Sequence, residues 1–220
     1  MAPGKLCSSP PALFAPWKTV SAGAAVGPRR GVGRAGPGPA GRGFGRIAHM
    51  AGCSLGVCLD AVDKLRSSVK LSKLLGGGTL SDVNISCRPC SSDGPEGGAR
   101  AVLLDSEPLE IVLCTNRLSG KAEIDEVVVH ELIHVFDHRT RRCDLETCHG
   151  LAYSEVRAAR EAECNRYFPF KWLKSECVRH NAVRSTANLY PHDAAKCVDA
   201  VFDTAILDLA PFDGDTSRPK

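Results

Sequence analysis

The stretch "VVVHELIHVFDH", residues 127–138, places two histidines four residues apart with a glutamate directly after the first. On a helix, residues i and i+4 lie one turn apart on one face, so His130 and His134 can each aim a ring nitrogen at a single point about 2 Å away, the zinc–nitrogen distance. Glu131 is rotated by roughly 100° from His130, near enough to reach a water at that point and poorly aimed as a ligand. Two neutral imidazoles to hold a metal and a carboxylate to take a proton are the parts that metal-assisted peptide hydrolysis needs. By composition such a string arises by chance in on the order of one chain in a hundred of this length, so its surroundings have to decide.

Those surroundings favour the catalytic reading. Ile124, Val127, Val128, Leu132 and Val135 give the segment an apolar surface on both sides of the histidines, which predicts a largely buried helix over about 122–138. Upstream, "DVNIS", "ARAVLLD" and "LEIVLCTN" are short runs rich in Val, Ile and Leu between Gly/Pro turns, and they read as strands of a small sheet. Before them, Leu59, Val62, Leu65, Val69 and Leu74 recur at helical spacing, predicting a helix from about 59 to 75 ended by the glycines at 76–78. Three more helices are predicted at about 150–166, 171–188 and 192–209. Helix, small sheet, then helices is an α+β order, and a motif helix after strands is a zincin-like placement.

A catalytic zinc needs a third protein ligand and one open position. Metzincins place a histidine six residues after the second, where this chain has Thr140. Gluzincins take a glutamate from the next helix, and Glu155 in "YSEVRAA" lies 21 residues after His134, enough for a turn and a return pass. Glu155 is the first choice, with His149 and then His138 as alternatives. Asp137 reads equally as a carboxylate that orients a ligand or as an acid at the helix end.

The rest of the composition bounds the setting. Residues 1–59 contain no Asp or Glu but seven Lys and Arg, and residues 1–49 are crowded with Gly and Pro. They read as a transit peptide or a disordered leader ahead of a catalytic domain over 50–220, with Met50 as an alternative start. Without those seven charges, 21 basic face 25 acidic side chains, a formal −4, where the whole chain carries +3. Direct nucleic-acid binding is therefore not expected. Arg139, Arg141 and Arg142 read as the solvated end of the motif helix. Eleven cysteines, ten of them outside the leader, suggest disulfides and an oxidising compartment, with reduced thiols or a second zinc site begun by "CRPC" (Cys87, Cys90) as rivals. No apolar run approaches the roughly 20 residues of a membrane span.

"ISCRPC", "IVLCTNRL", "VVVHELIHVFDHR", "SEVRAA" followed by Cys164, and "ECVRHNAVRS" occur in an order and spacing that resemble the mitochondrial inner-membrane metalloprotease family that processes and assembles ATP synthase subunit 6. The same family is also described as the Ku-binding protein family. The resemblance covers about residues 53–213. It implies an endopeptidase with one catalytic Zn2+, His130 and His134 as ligands and Glu131 as base, peripheral to the inner membrane on its intermembrane-space side. It further implies removal of an N-terminal extension from the subunit 6 precursor and contact with membrane-sector assembly intermediates. The other classes weighed are a non-proteolytic assembly factor with structural zinc and a Ku-associated repair partner. Family members usually carry cysteine where this chain has Tyr153.

Overall fold

The computed structural model describes residues 19–20, 52–75, 83–93, 96–104, 106–140 and 142–212. Most of the leader and the glycines at 76–78 lie outside the described residues. Three strands, β2 (Val83–Arg88), β3 (Ala101–Leu104) and β4 (Leu109–Cys114), form a mixed sheet, and a two-residue strand β1 (Thr19–Val20) pairs with β3. β4 runs parallel to β2 and antiparallel to β3, with Ile111 opposite both Ile85 and Leu103. Side chains alternate across the sheet. Ile85, Leu103, Ile111 and Leu113 turn to the main core, while Val112 and Cys114 pack with Cys90 on the other face.

Among the described residues six α-helices accompany the sheet: α1 (Leu55–Arg66), α2 (Val69–Leu74), α3 (Lys121–Arg139), α4 (Cys148–Glu161), α5 (Lys171–Thr186) and α6 (Ala194–Leu207). The architecture is α+β. One expected element divides: the single helix predicted at 59–75 is two helices, because the Ser68 hydroxyl accepts from the Leu71 amide at 3.2 Å and starts a new helix there. A serine side chain offers the backbone this alternative to continuing the earlier helix. The predicted helix at 150–166 likewise ends at Glu161, and Glu163–Tyr167 form a 3-10 turn.

Two large apolar clusters result, besides the small one on the sheet's far face. The larger joins α1, α2, α3 and the sheet, and the smaller joins α4, α5 and α6. Among the described residues there are four disulfides, two about the sheet and two among the later helices. Cys58–Cys87 ties α1 to β2 and Cys90–Cys114 closes the sheet's far face, while Cys148–Cys197 ties α4 to α6 and Cys164–Cys177 ties the 3-10 turn to α5. Eight of the ten cysteines outside the leader are therefore paired with one another. The "CRPC" zinc reading is overturned, since Cys87 and Cys90 enter different bridges. Arg142 also departs from a merely solvated cation: it pairs with Asp208 at 2.6 Å and covers the Phe136 ring.

Candidate metal centre

α3 is buried along its whole middle, and Val127 to Asp137 includes four polar side chains, His130, Glu131, His134 and Asp137, that are almost or wholly inaccessible to solvent. Such groups are stable in a core only when partnered. Partners for His130, His134 and Asp137 come from α4 and from the turn that follows it. The Thr147 hydroxyl caps that helix by accepting from the Gly150 amide at 3.1 Å. A Cβ on Gly150 would stand 1.8 Å from the Asp144 carbonyl oxygen, so the tight return of the chain requires glycine there. The return pass sets Ser154, Glu155 and Arg157 against α3.

The result is a convergence of three ligand atoms. His130 Nε2 is 3.3 Å from one Glu155 carboxylate oxygen and His134 Nε2 is 3.7 Å from the other, with the rings 5.0 Å apart and nearly perpendicular. Ligand atoms about 2 Å from a tetrahedral ion are themselves about 3.3 Å apart. His134 Nε2 and Glu155 Oε2 have no hydrogen-bond partner although both are buried. Two imidazole nitrogens and a carboxylate oxygen left open toward one point suit zinc. Among the described residues, His130, His134 and Glu155 are the group so arranged. His149 is exposed on the first turn of α4 and His138 is half-buried, and neither joins it.

Each histidine is also held from behind. His130 Nδ1 lies 3.1 Å from Glu163, whose carboxylate also meets Arg100 at 3.3 Å. His134 Nδ1 lies 2.8 Å from Ser154 Oγ, and the Ser154 hydroxyl donates to Asp137 at 2.8 Å. Because the one hydroxyl proton of Ser154 goes to that carboxylate, Nδ1 of His134 donates to the serine oxygen. That tautomer leaves the Nε2 lone pair facing Glu155. Asp137 in turn pairs with the fully buried Arg157, which also donates to the Ala210 carbonyl. Of the two sequence readings of Asp137, the structure places it behind a candidate ligand. Ser154, Glu163 and Arg157 are the site residues that sequence reasoning missed. Glu163 carried a signal, eight residues and thus about two turns beyond Glu155.

The electrostatics follow from burial and charge. Burial would raise the Glu163 carboxyl, but His130 and Arg100 outweigh it and bring the pKa down to about 2. Burial opposes charge on His130, yet Glu163 and Glu155 raise its pKa well above the usual value. Burial lowers His134 to about 4 and raises Asp137 to about 6. The carboxylates thus draw positive charge to where the Nε2 atoms converge, and a divalent cation answers the same field. Beside the cluster lies a cavity of about 240 Å³ lined by Arg100, Glu163, Arg166, Tyr167, Asn181 and Arg184, among others.

The profile of the Peptidase M76 family matches residues 58–213. A Xenopus laevis protein named "Mitochondrial inner membrane protease ATP23 homolog" is 34% identical over 176 residues, covering 74% of this chain and 72% of its own length. A Homo sapiens protein of the same name is 35% identical over 143 residues, 60% of this chain and 56% of its own. The Meyerozyma guilliermondii "Mitochondrial inner membrane protease ATP23" is 31% identical over 150 residues, 62% and 59% respectively. No solved structure matches the chain.

Proposed function

The chain belongs to the Peptidase M76 family, a metallopeptidase family, and from that premise we propose that it is a zinc-dependent endopeptidase with a zincin-like catalytic domain over residues 50–220 behind a leader of 1–49. The observation that carries this reading is the buried convergence of His130 Nε2, His134 Nε2 and the Glu155 carboxylate.

In the proposed mechanism His130, His134 and Glu155 would hold the ion, and Ser154 and Glu163 would keep the two imidazoles in the tautomer that offers Nε2. The chemistry zinc supplies when bound is Lewis acidity, which polarises a carbonyl and makes water easier to ionise. Glu131 accepts a proton as the water oxygen attacks the scissile carbonyl carbon. It then returns that proton to the amine nitrogen as the carbon–nitrogen bond breaks, so the proton inventory closes on one carboxylate.

The proposed substrate is the N-terminal extension of the ATP synthase subunit 6 precursor, with help to membrane-sector assembly as an accompanying role. The support is the family resemblance together with relatives named mitochondrial inner membrane proteases. No helix among the described residues is long and apolar enough to cross a membrane. The location proposed is therefore peripheral to the inner membrane, on the intermembrane-space side, where four disulfides are at home.

The test is cleavage of a subunit 6 precursor peptide alongside elemental analysis. Glu131→Gln should keep one zinc per chain and lose about 10²- to 10⁴-fold in turnover, because an amide cannot take the proton. Glu155→Ala should lose both zinc and activity. Native turnover by Glu131→Gln would end the catalytic assignment. Normal zinc in Glu155→Ala, with loss in His149→Ala, would move the third ligand to His149. Assembly activity surviving Glu131→Gln would separate the chaperone-like role from hydrolysis.

A further inference from the structure

Residues 165–172, "NRYFPFKW", are exposed without a break. Tyr167, Phe168, Phe170 and Trp172 stand 40%, 47%, 60% and 69% accessible. Aromatic residues make up only 5% of the chain, so four within six positions, all outward, is a concentration that composition does not explain. Arg166, Lys171 and Lys174 share the segment, and no acidic residue occurs between Glu163 and Glu176. Arg166 spends part of its charge on Glu126 at 2.6 Å, while Lys171 is exposed.

The aromatics are held outward by covalent structure. The Cys164–Cys177 bridge closes the base of the segment. Within it, the Phe168 amide donates to the Asn165 carbonyl and the Phe170 amide to the Tyr167 carbonyl, so the backbone is internally satisfied. The bridge behind it and the start of α5 ahead of it fix both ends of the segment, and its rings stand exposed. Amphipathic rings beside lysines are the residue set that settles at a lipid–water interface and is drawn to anionic headgroups. The segment also starts at the site. Glu163, which holds His130, Arg166 and Tyr167 all line the neighbouring cavity.

We propose that the segment 165–174, from the 3-10 turn to the first turn of α5, docks on an anionic phospholipid surface, with Phe170 and Trp172 entering the headgroup layer, and that this holds the cavity beside His130 against the membrane. The inference deepens the peripheral-membrane reading above and rests on it for the presence of a bilayer. It also makes the substrate class specific: a polypeptide segment lying at the membrane surface.

Trp17 and Trp172 are the two tryptophans of the chain, so the full chain carrying Trp17→Phe reports on Trp172 alone. Adding vesicles of phosphatidylcholine with phosphatidylglycerol should shift its emission to the blue, and phosphatidylcholine alone should do so much less. Co-sedimentation with the mixed vesicles should fall about tenfold in the otherwise native chain carrying Phe170→Ser and Trp172→Ser together. Lys171→Glu should remove most of the preference for the anionic lipid. All of these chains should melt alike and cleave a soluble peptide at the native rate, so loss of docking is read separately from loss of the peptidase. Failure of the full chain to bind either vesicle, or equal binding by the double variant, overturns the proposal. So does sedimentation showing that the native chain self-associates and the double variant does not, which would assign the patch to a second copy.

Discussion

The two halves of the molecule are built differently. The half made of α1–α3 and the sheet fully buries Leu71, Leu74, Leu103, Ile111, Leu113, Leu118, Ile124, Leu132 and Ile133. The cluster of α4–α6 has no buried Leu or Ile, since Leu151 of α4 is buried outside it, and relies on alanines, valines, half-cystines and Phe202. Each buried Leu or Ile contributes about 1.5–3 kcal/mol, so the second half has far less apolar burial to hold it and leans on its cross-links and on the first half. The candidate site sits where they meet: α3 brings the histidines, and α4 with its following turn brings Ser154, Glu155 and Glu163. A metal bound there would clasp the weaker half to the stronger.

The sharpest way to break this comparison is at Arg157. Its guanidinium joins the halves, pairing with Asp137 of α3 while donating to Ala210 and lying over the Phe136 and Tyr153 rings. Arg157→Met leaves the Asp137 carboxylate buried without its counter-ion, and the expected loss is about 3–5 kcal/mol in urea unfolding. Adding Asp137→Asn removes the stranded charge and should recover part of it. A loss under about 1 kcal/mol would mean that the seam does not couple the halves.

The disulfides sharpen the comparison at a smaller scale. Cys148–Cys197 spans 49 residues and Cys90–Cys114 spans 24. Loop entropy alone gives about 4 and about 3.5 kcal/mol for their loss. The poorer apolar support of α4–α6 should widen that gap, and loosening Cys148 at the start of α4 should also weaken zinc retention. Serine pairs at the two bridges, compared by urea unfolding and by elemental analysis, check both points. Equal losses, with zinc kept in both, would contradict the unequal dependence on cross-links.

The sequence makes α3 legible because a buried helix with polar groups at i, i+1 and i+4 has a distinctive period, and the β-branched runs disclose the sheet. Glu155 was within reach because a short turn followed by a return helix restricts what can face His134. The division of the 59–75 helix at Ser68 escapes the apolar periodicity because the competing cap is a local hydrogen bond. Cysteine pairing was not encoded in spacing, since it depends on which elements pack together. Ser154 and Glu163 stayed hidden for a related reason: each acts on the far nitrogen of a histidine, and that nitrogen's surroundings exist only after α4 has docked.

Ser154 gives the finest test of the seam, because it is the polar link between α4 and the candidate ligand His134. It accepts from Nδ1 and passes its own proton to Asp137, both at 2.8 Å, so it fixes which nitrogen of His134 carries hydrogen. In Ser154→Ala the Asp137–Arg157 pair remains and the core loses one hydroxyl, a stability cost of about 1 kcal/mol. The imidazole, however, loses the acceptor that selects its tautomer and orientation. Losing such a partner typically weakens metal binding by about 10- to 100-fold, measurable as zinc retained against a competing chelator. Glu163→Gln provides the contrast, since the amide oxygen can still accept from His130 Nδ1 and only the charge is lost, so its effect on zinc should be smaller. A Ser154→Ala chain that holds zinc as tightly as the native one would show that packing of α4 against α3 orients His134 by itself, and the seam would then be apolar in its working part rather than polar.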